Sequence, residues 1–210
     1  MEGDARRAPL GQLYPLSWGP NQAGRCGSVR YAVPMADYQH IAHGFEPVFD
    51  ERSRVLVLGS FPSVLSRQNA FYYGNPRNRF WRVISSLTGE PVPKTRDVAS
   101  KRALLVRHGI ALWDVIESCD VRGSSDASIR NVTPADVGRI TSAARIGAVI
   151  CNGSTAGGLY HRWLEGELGL VATVLPSTSP ANASWSLARL TERWGEVLVP
   201  LIEKTGEAHD

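Results

Sequence analysis

"VLVLGSFPS", Val55 to Ser63, is the stretch on which the fold turns. Four apolar residues run without a polar break and stop at Gly59. A half-exposed strand would alternate, so an unbroken run this short points to a strand buried on both faces, as in a parallel sheet. Gly59 and Pro62 then bracket a tight turn whose amides can face a carbonyl or a phosphate. A plain structural turn explains the same residues equally well. The pattern is not GxSxG, so a nucleophile elbow has no support.

Working outward, comparable runs recur at "IALWDVI" (110–116), "GAVICNG" (147–153) and "LVATVL" (170–175). Helical patterns separate them. "RFWRVISSLTG" (79–89) puts Phe80, Val83, Ile84 and Leu87 on one face and stops at Gly89. A second helix is predicted over 96–107. "NVTPADVGRITSAAR" (131–145) predicts a third, with Thr133 as cap, Pro134 in the first position and Asp136 in the first turn. Two more are predicted over 154–167 and within "SWSLARLTERWGEVLVPLIEK" (184–204). Strands alternating with helices of this length predict an α/β chain: a three-layer α/β/α sandwich with a short, mostly parallel central sheet. In such sheets ligands bind beyond the carboxyl ends of the strands. Four segments are thereby singled out: "GSFPS", "WDVIESC", "NGSTAGG" and "PSTSPANAS".

Residues 1–44 are rich in Gly, Pro, Arg and polar residues without a sustained period, and read as a loosely structured extension before one domain at 45–205. Met1 and Met35 are the only methionines, so either could be the start of translation. No apolar run approaches the roughly 20 residues of a membrane span, and the first ten residues lack a secretory signal's apolar segment. Cys26, Cys119 and Cys151 lie far apart, with no spacing that suggests a disulfide framework, a zinc site or an iron–sulfur cluster. The expectation is a cytoplasmic protein without metal or organic cofactor.

The net charge of +3 says little, but its distribution says more. No acid occurs between Glu51 and Glu90, whereas six arginines do, and the chain as a whole carries 20 Arg against 3 Lys. Coding bias can explain the arginine excess but not the missing acids. Inside this window lies "FYYGNPRNRFW" (71–81), with five aromatics, two arginines and two asparagines. Basic residues interleaved with aromatics suit phosphate contact combined with base stacking.

The other strand ends leave alternatives open. "NGSTAGG" (152–158) puts small residues at a helix start, which suits an anion or simply a turn. "LPSTSPANAS" (175–184) is an uncharged, proline-stiffened loop that either lies against a DNA backbone or is an ordinary surface turn. Asp114 could accept hydrogen bonds from a ligand or cap the next segment.

Taken in order, "VLVLGSFPS", "FYYGNPRNRFWRVI", "GIALWDVIESC", "ICNG" and "LPSTSPA" resemble the uracil-DNA glycosylase superfamily, and within it the hypoxanthine-DNA (deoxyinosine) glycosylase branch, sometimes counted as family six. The likeness runs from about Gly44 to Lys204, and "YYGNPRNRFW" is its specific part. Asn75 departs from the pattern, standing where histidine is expected before the proline. The resemblance implies a monofunctional DNA glycosylase of base excision repair, acting on DNA that contains deaminated bases, deoxyinosine first and then deoxyuridine. A monomer in the bacterial cytosol or nucleoid, without membrane or metal, is the corresponding expectation. The catalytic asparagine of that branch maps to Asn78, whose carbonyl would hold the attacking water; an N-cap for the following helix is the structural alternative. Gly59, Ser60, Phe61, Tyr73 and Asp114 map to the base pocket, with Phe61 where relatives carry an acid or amide. Arg77, Arg79, Ser177, Thr178, Ser179, Pro180 and Ala181 map to DNA contacts. Phe71, Tyr72, Phe80 and Trp81 would wall the pocket and anchor the helix, and Asp126 is a further candidate partner of the site. Lys94, Lys101 and Lys204 lie outside the motifs, which speaks against lyase chemistry. Three rivals remain: a uracil or mismatch glycosylase, a non-catalytic module that binds damaged DNA, and a small-molecule hydrolase on a Rossmann-like sheet, for which His108 and His161 show no local nucleophile–base signature.

Overall fold

A computed structural model describes residues 38–122 and 128–203. The expectations for residues 1–37 and for Asp126 lie outside the described residues. The described part belongs to one compact unit, Ala36–Asp210. Strand β1, Gln39–Ala42, and buried His43 therefore belong to the domain, not to the extension in which the sequence reading placed them.

The central sheet has four parallel strands in the order β3-β2-β6-β7: β2 is Val55–Gly59, β3 Ile110–Asp114, β6 Ala148–Asn152 and β7 Ala172–Leu175. Every residue of β2 and β3 is buried. Because successive side chains point to opposite faces, this requires cover on both sides of the sheet, which the helices supply. Helix α1 spans Val64–Gln68, α2 Phe80–Thr88 and α3 Val98–Arg107. Helix α2 buries Phe80, Trp81, Val83 and Ile84, and ends at Gly89 in the left-handed conformation (φ 70°), which glycine adopts without steric penalty. Phe80 meets Trp194 edge-on at 6.1 Å, joining α2 to α7, Leu187–Glu203. Each such large apolar side chain contributes roughly 1.5–3 kcal/mol by leaving water. The expected three-layer α/β/α sandwich is the observed architecture.

The chain departs from the expected pattern after β3. The Val115 and Ile116 amides donate to the Gly59 and Ser60 carbonyls at 2.9 and 3.2 Å. These bonds end the parallel strand and redirect the chain into β4, Ile116–Val121. β4 pairs antiparallel with β1 and with β5, Arg130–Pro134, in a second, three-stranded sheet of order β1-β4-β5. The predicted helix over 131–145 thus begins as strand. Pairing with β4 claims the backbone of Arg130–Pro134, and only the short α4, Gly138–Thr141, is helical there. Pro134, expected at a helix start, ends an edge strand instead, where its missing N–H costs nothing. The remaining helices are α5, Ser154–Trp163, and α6, Glu165–Leu168.

Candidate active site

In the four-stranded sheet, β2 leads to its neighbour β3 on one side, and the chain later returns to β6 on the other. A crevice opens at the carboxyl ends where the direction reverses. Gly59 ends β2, Asp114 ends β3, Asn152 ends β6, and the loop from Pro176 follows β7. A cleft of about 300 Å³ occupies this place; Gly59, Ser60, Phe61, Tyr72, Tyr73, Asn78, Asp114, Asn152, Ser177, Ser179 and Ala181 are among its lining residues. Asn152 was not singled out from sequence as a site residue, although its place at a strand end is the signal that could have found it.

The cleft's chemistry is divided between two polar groupings. The first joins Asn78, Thr178, Asn152 and Tyr73. Asn78 Oδ1 accepts from the Phe80 amide at 3.0 Å and from the Thr178 hydroxyl at 2.9 Å. A backbone N–H can only donate, so the bonded atom is the amide oxygen, and its two lone pairs are both used. The group that Asn78 offers to the cleft is consequently its NH₂, not the carbonyl expected from sequence. The cap position of α2 itself falls on Arg79, which makes no side-chain cap bond, while Asn78 ties down the first helical amide from one residue earlier. Thr178 is fully buried. It donates its own amide to Asn152 Oδ1 and accepts from Asn152 Nδ2, both at 2.9 Å. Asn152 Nδ2 also donates to the Tyr73 hydroxyl at 2.9 Å. Thr178, expected at the DNA surface, is instead the internal strut of the site. Tyr73 has φ 51°, a left-handed conformation that costs a bulky residue about 1–3 kcal/mol. That backbone position stacks its ring on Phe80 at 4.0 Å while its hydroxyl reaches Asn152. Burial, with the Asp114 charge second, pushes the phenol well above its ordinary range, so it remains a neutral hydrogen-bonding group.

The second grouping is Asp114 with His43. Asp114 is 4% exposed and His43 1%. His43 Nε2 lies 2.9 Å from Asp114 Oδ2, and Nδ1 lies 2.9 Å from the Phe45 carbonyl. The other carboxylate oxygen, Oδ1, is directed across the end of β2: a methyl group at Gly59 would stand 2.0 Å from it. Gly59 is required because the carboxylate fills the space of a side chain.

Phe61 packs against Ile116, Cys119 and Val121 of the second sheet, with the Arg67 guanidinium 5.9 Å from its ring centre. One flank of the cleft is therefore apolar and aromatic. Of the five aromatics in 71–81, Tyr72 and Tyr73 reach the cleft. Phe71, Phe80 and Trp81 are core residues.

The two arginines of "NPRNR" face in different directions. Arg77 is exposed, between cleft residues Asn75 and Asn78. Arg79 turns inward: Nε donates to the Thr178 carbonyl at 3.2 Å, Nη2 to the Ser179 and Asn182 carbonyls at 2.5 and 3.0 Å, and Nη1 to the Trp185 carbonyl. It clamps the 176–185 loop rather than standing open to phosphate. The clamped loop presents Pro180 and Ala181 at the surface.

Nucleophile chemistry has little to draw on here. Burial pushes the Cys151 thiol up to about 12, and Lys101 is buried with its Nζ on the Thr95 carbonyl at 2.5 Å. Among the described residues, no lysine lines the cleft, and no cluster of three or more His, Cys, Asp or Glu could hold a metal ion. None of the described helices is long and apolar enough to cross a membrane.

Comparison with known proteins gives this cleft its context. The family profile of the Uracil DNA glycosylase superfamily matches residues 46–198. A Hypoxanthine DNA glycosylase of Methanosarcina acetivorans is 36% identical over 154 residues, covering 72% of this chain and 95% of the relative. A Hypoxanthine DNA glycosylase of Methanosarcina barkeri is 32% identical over 154 residues, covering 73% and 95%. A solution NMR structure of a candidate Uracil DNA glycosylase from Methanosarcina acetivorans superimposes with a TM-score of 0.63 at 34% identity, covering 75% of this chain and 96% of that one. With a profile match across most of its length and relatives aligned nearly end to end, the chain belongs to the Uracil DNA glycosylase superfamily.

Proposed function

We propose that the protein is a monofunctional DNA glycosylase that removes deaminated bases, hypoxanthine first, by hydrolysing the N-glycosidic bond. The observation that carries this reading is the pairing, in one cleft, of a pinned amide at Asn78 with an acceptor at Asp114. Hypoxanthine offers N1–H as donor and O6 as acceptor. Asp114 Oδ1 accepts the former, and the Ser60 amide faces the latter. Adenine carries a lone pair at N1 and is repelled by the same oxygen. Phe61 stacks on the extruded base, and Pro180 and Ala181 hold the duplex open while Arg77 contacts phosphate. Extrusion costs a few kcal/mol, less for a poorly paired base, which adds to selectivity.

In the reaction the bond between the base nitrogen and C1′ breaks with its electron pair leaving on the base. The sugar becomes oxocarbenium-like, and a water held by the Asn78 NH₂ adds to C1′. The water loses its proton only as it bonds to the cationic carbon, and that proton passes through solvent to the departed base anion, so no strong base is needed. An amide that donates one hydrogen bond leaves a water lone pair free to attack, and positioning suffices. With no lysine among the described cleft residues, the product is an abasic site rather than a cut strand. The protein would act in the cytoplasm, on the DNA of the bacterial nucleoid, as a monomer without metal or cofactor. Deoxyuridine is the second substrate, because uracil also presents a ring N–H beside a carbonyl.

The test is incubation of duplexes containing one deoxyinosine, one deoxyuridine or no lesion, followed by alkali. Strand cleavage at deoxyinosine that falls by about 10²-fold or more in Asn78→Ala is expected, the scale of a lost positioning group. Cleavage at deoxyuridine alone would change the substrate, and no cleavage with damaged DNA still bound would leave a binding module.

A further inference from the structure

We propose that His43 is a positioning and specificity-determining residue, which acts through Asp114 to keep the cleft-facing carboxylate oxygen an acceptor without adding net charge to the pocket. The inference rests on the base-reading function proposed for Asp114.

The proton count follows from the geometry. The Phe45 carbonyl can only accept, so the 2.9 Å contact from His43 Nδ1 requires a hydrogen on Nδ1. The contact of 2.9 Å between Nε2 and Asp114 Oδ2 needs one more proton, on either atom. Imidazolium with carboxylate and imidazole with carboxylic acid are the two forms, and both are neutral overall. In both, the proton lies on the Oδ2 side. Oδ1 is bare in either case, and among the described residues it accepts no other hydrogen bond while the side chain lines the cleft.

Two consequences bear on function. A bare oxygen accepts N–H and repels a ring lone pair, which is the difference that deamination makes at purine N1. A buried group built to bond a substrate N–H discriminates strongly, because a ligand without it leaves the group unpaired. A neutral pair also avoids opposing the electron pair that the base carries away, whereas a lone buried carboxylate would oppose it. Without His43, Asp114 is either a buried naked anion, which is costly, or an acid free to place its proton on Oδ1. Aromatic packing fixes the imidazole in this orientation: Phe45 and Tyr72 lie against it at ring separations of 4.4 and 5.7 Å, and Phe61 meets it edge-on at 6.5 Å.

The experiment compares wild type, His43→Leu and His43→Gln. Gln keeps an N–H donor toward Oδ2, and Leu does not. Each is titrated with duplexes carrying 2′-fluoro-deoxyinosine or 2′-fluoro-deoxyadenosine, whose glycosidic bonds resist hydrolysis, and assayed in single turnover on ordinary deoxyinosine. The expected result is an inosine-over-adenosine affinity ratio that drops about 10-fold or more in His43→Leu, the scale of a lost charge-assisted hydrogen bond. Gln should recover a substantial part of it. An unchanged ratio in folded His43→Leu overturns the proposal. So does an equal loss of affinity for both duplexes that Gln fails to restore, which marks a purely structural role. Wild type that binds inosine selectively but never cleaves it would remove the glycosylase reading while sustaining this one.

Discussion

On one side of the cleft Asn78 is held by Thr178, and Thr178 in turn by Asn152, side chains that carry no charge. On the other, Asp114 is held by His43 across a 2.9 Å contact. In the proposed reaction the neutral side would face the bond to be broken, where what matters is the place and direction of an amide. The ionisable side would face the base, where what matters is whether an oxygen accepts or donates. A neutral network fixes geometry and is indifferent to where protons reside. A His–Asp pair fixes the sign of a hydrogen bond at the cost of burying ionisable groups. Each suits the chemistry it faces, and neither tolerates loss of one member, because a buried polar group left alone costs more than the bond contributed.

The sharpest way to break the ionisable side is Gly59→Ala. The new methyl would stand 2.0 Å from Asp114 Oδ1, so the carboxylate must leave its place. Excision of deoxyinosine should fall by about 10²-fold or more, as misplacement of a reacting or recognising group does. The double variant Gly59→Ala, Asp114→Ala should be no worse than Asp114→Ala alone, a non-additivity that single-turnover kinetics would reveal. Additive losses would mean that the glycine serves something other than the carboxylate.

The neutral side is tested by Thr178→Val, which keeps the shape and removes the hydroxyl. Asn78 Oδ1 and Asn152 Nδ2 each lose a partner, so stability should drop by about 1–3 kcal/mol, and excision by about 10-fold or more as Asn78 gains freedom. Thr178→Ser should restore most of both in denaturant titrations and kinetics. A rate that falls without recovery in Ser would point to methyl packing instead.

Arg77 and Arg79 sharpen the comparison on the outside of the cleft. Arg77→Ala should reduce the salt dependence of DNA binding by about one unit in the log–log slope and leave thermal stability unchanged. Arg79→Ala removes the guanidinium from four loop carbonyls, of which that of Thr178 keeps a bond from the Arg79 backbone amide, and should cost about 1–3 kcal/mol of stability, with little change in slope. Equal slopes for the two variants would restore Arg79 to the phosphates.

The smallest effect belongs to a surface pair that contrasts with the buried one. Hydrogen bonds from Arg107 and His108 hold the Glu90 carboxyl below its ordinary value. The stabilisation is therefore present above the unfolded value, about 4.3, and is lost as pH falls through the lower folded value. Glu90→Gln should flatten that acid limb slightly in urea titrations and leave excision untouched.

How much of this was legible in the sequence depends on the range of the interaction. Val55–Gly59 and Ile110–Asp114 were readable as buried strands because their character lies in consecutive residues. Helix α2 was readable from its apolar spacing and its closing Gly89. Arg130–Pro134 was misread because Thr133, Pro134 and Asp136 carry a local helix-start signal that pairing with β4 overrides. His43 gave no signal, since the polar run before it has no period and its role depends on a carboxylate 71 residues away. Thr178 was misassigned to the surface for the same reason: the hydroxyl that makes it internal reaches Asn78, 100 residues distant.

By itself the sequence determined the layered α/β sheet, the four strand ends at which a site could lie, and the superfamily, since periodicity, glycine stops and a contiguous motif are properties of neighbouring residues. The tertiary structure alone decided which oxygen of Asp114 faces the cleft, which end of the Asn78 amide does, and whether an arginine stands exposed or binds loop carbonyls. Those choices are made by hydrogen bonds between segments far apart in the chain, and such a bond exists only where folding brings donor and acceptor to about 3 Å.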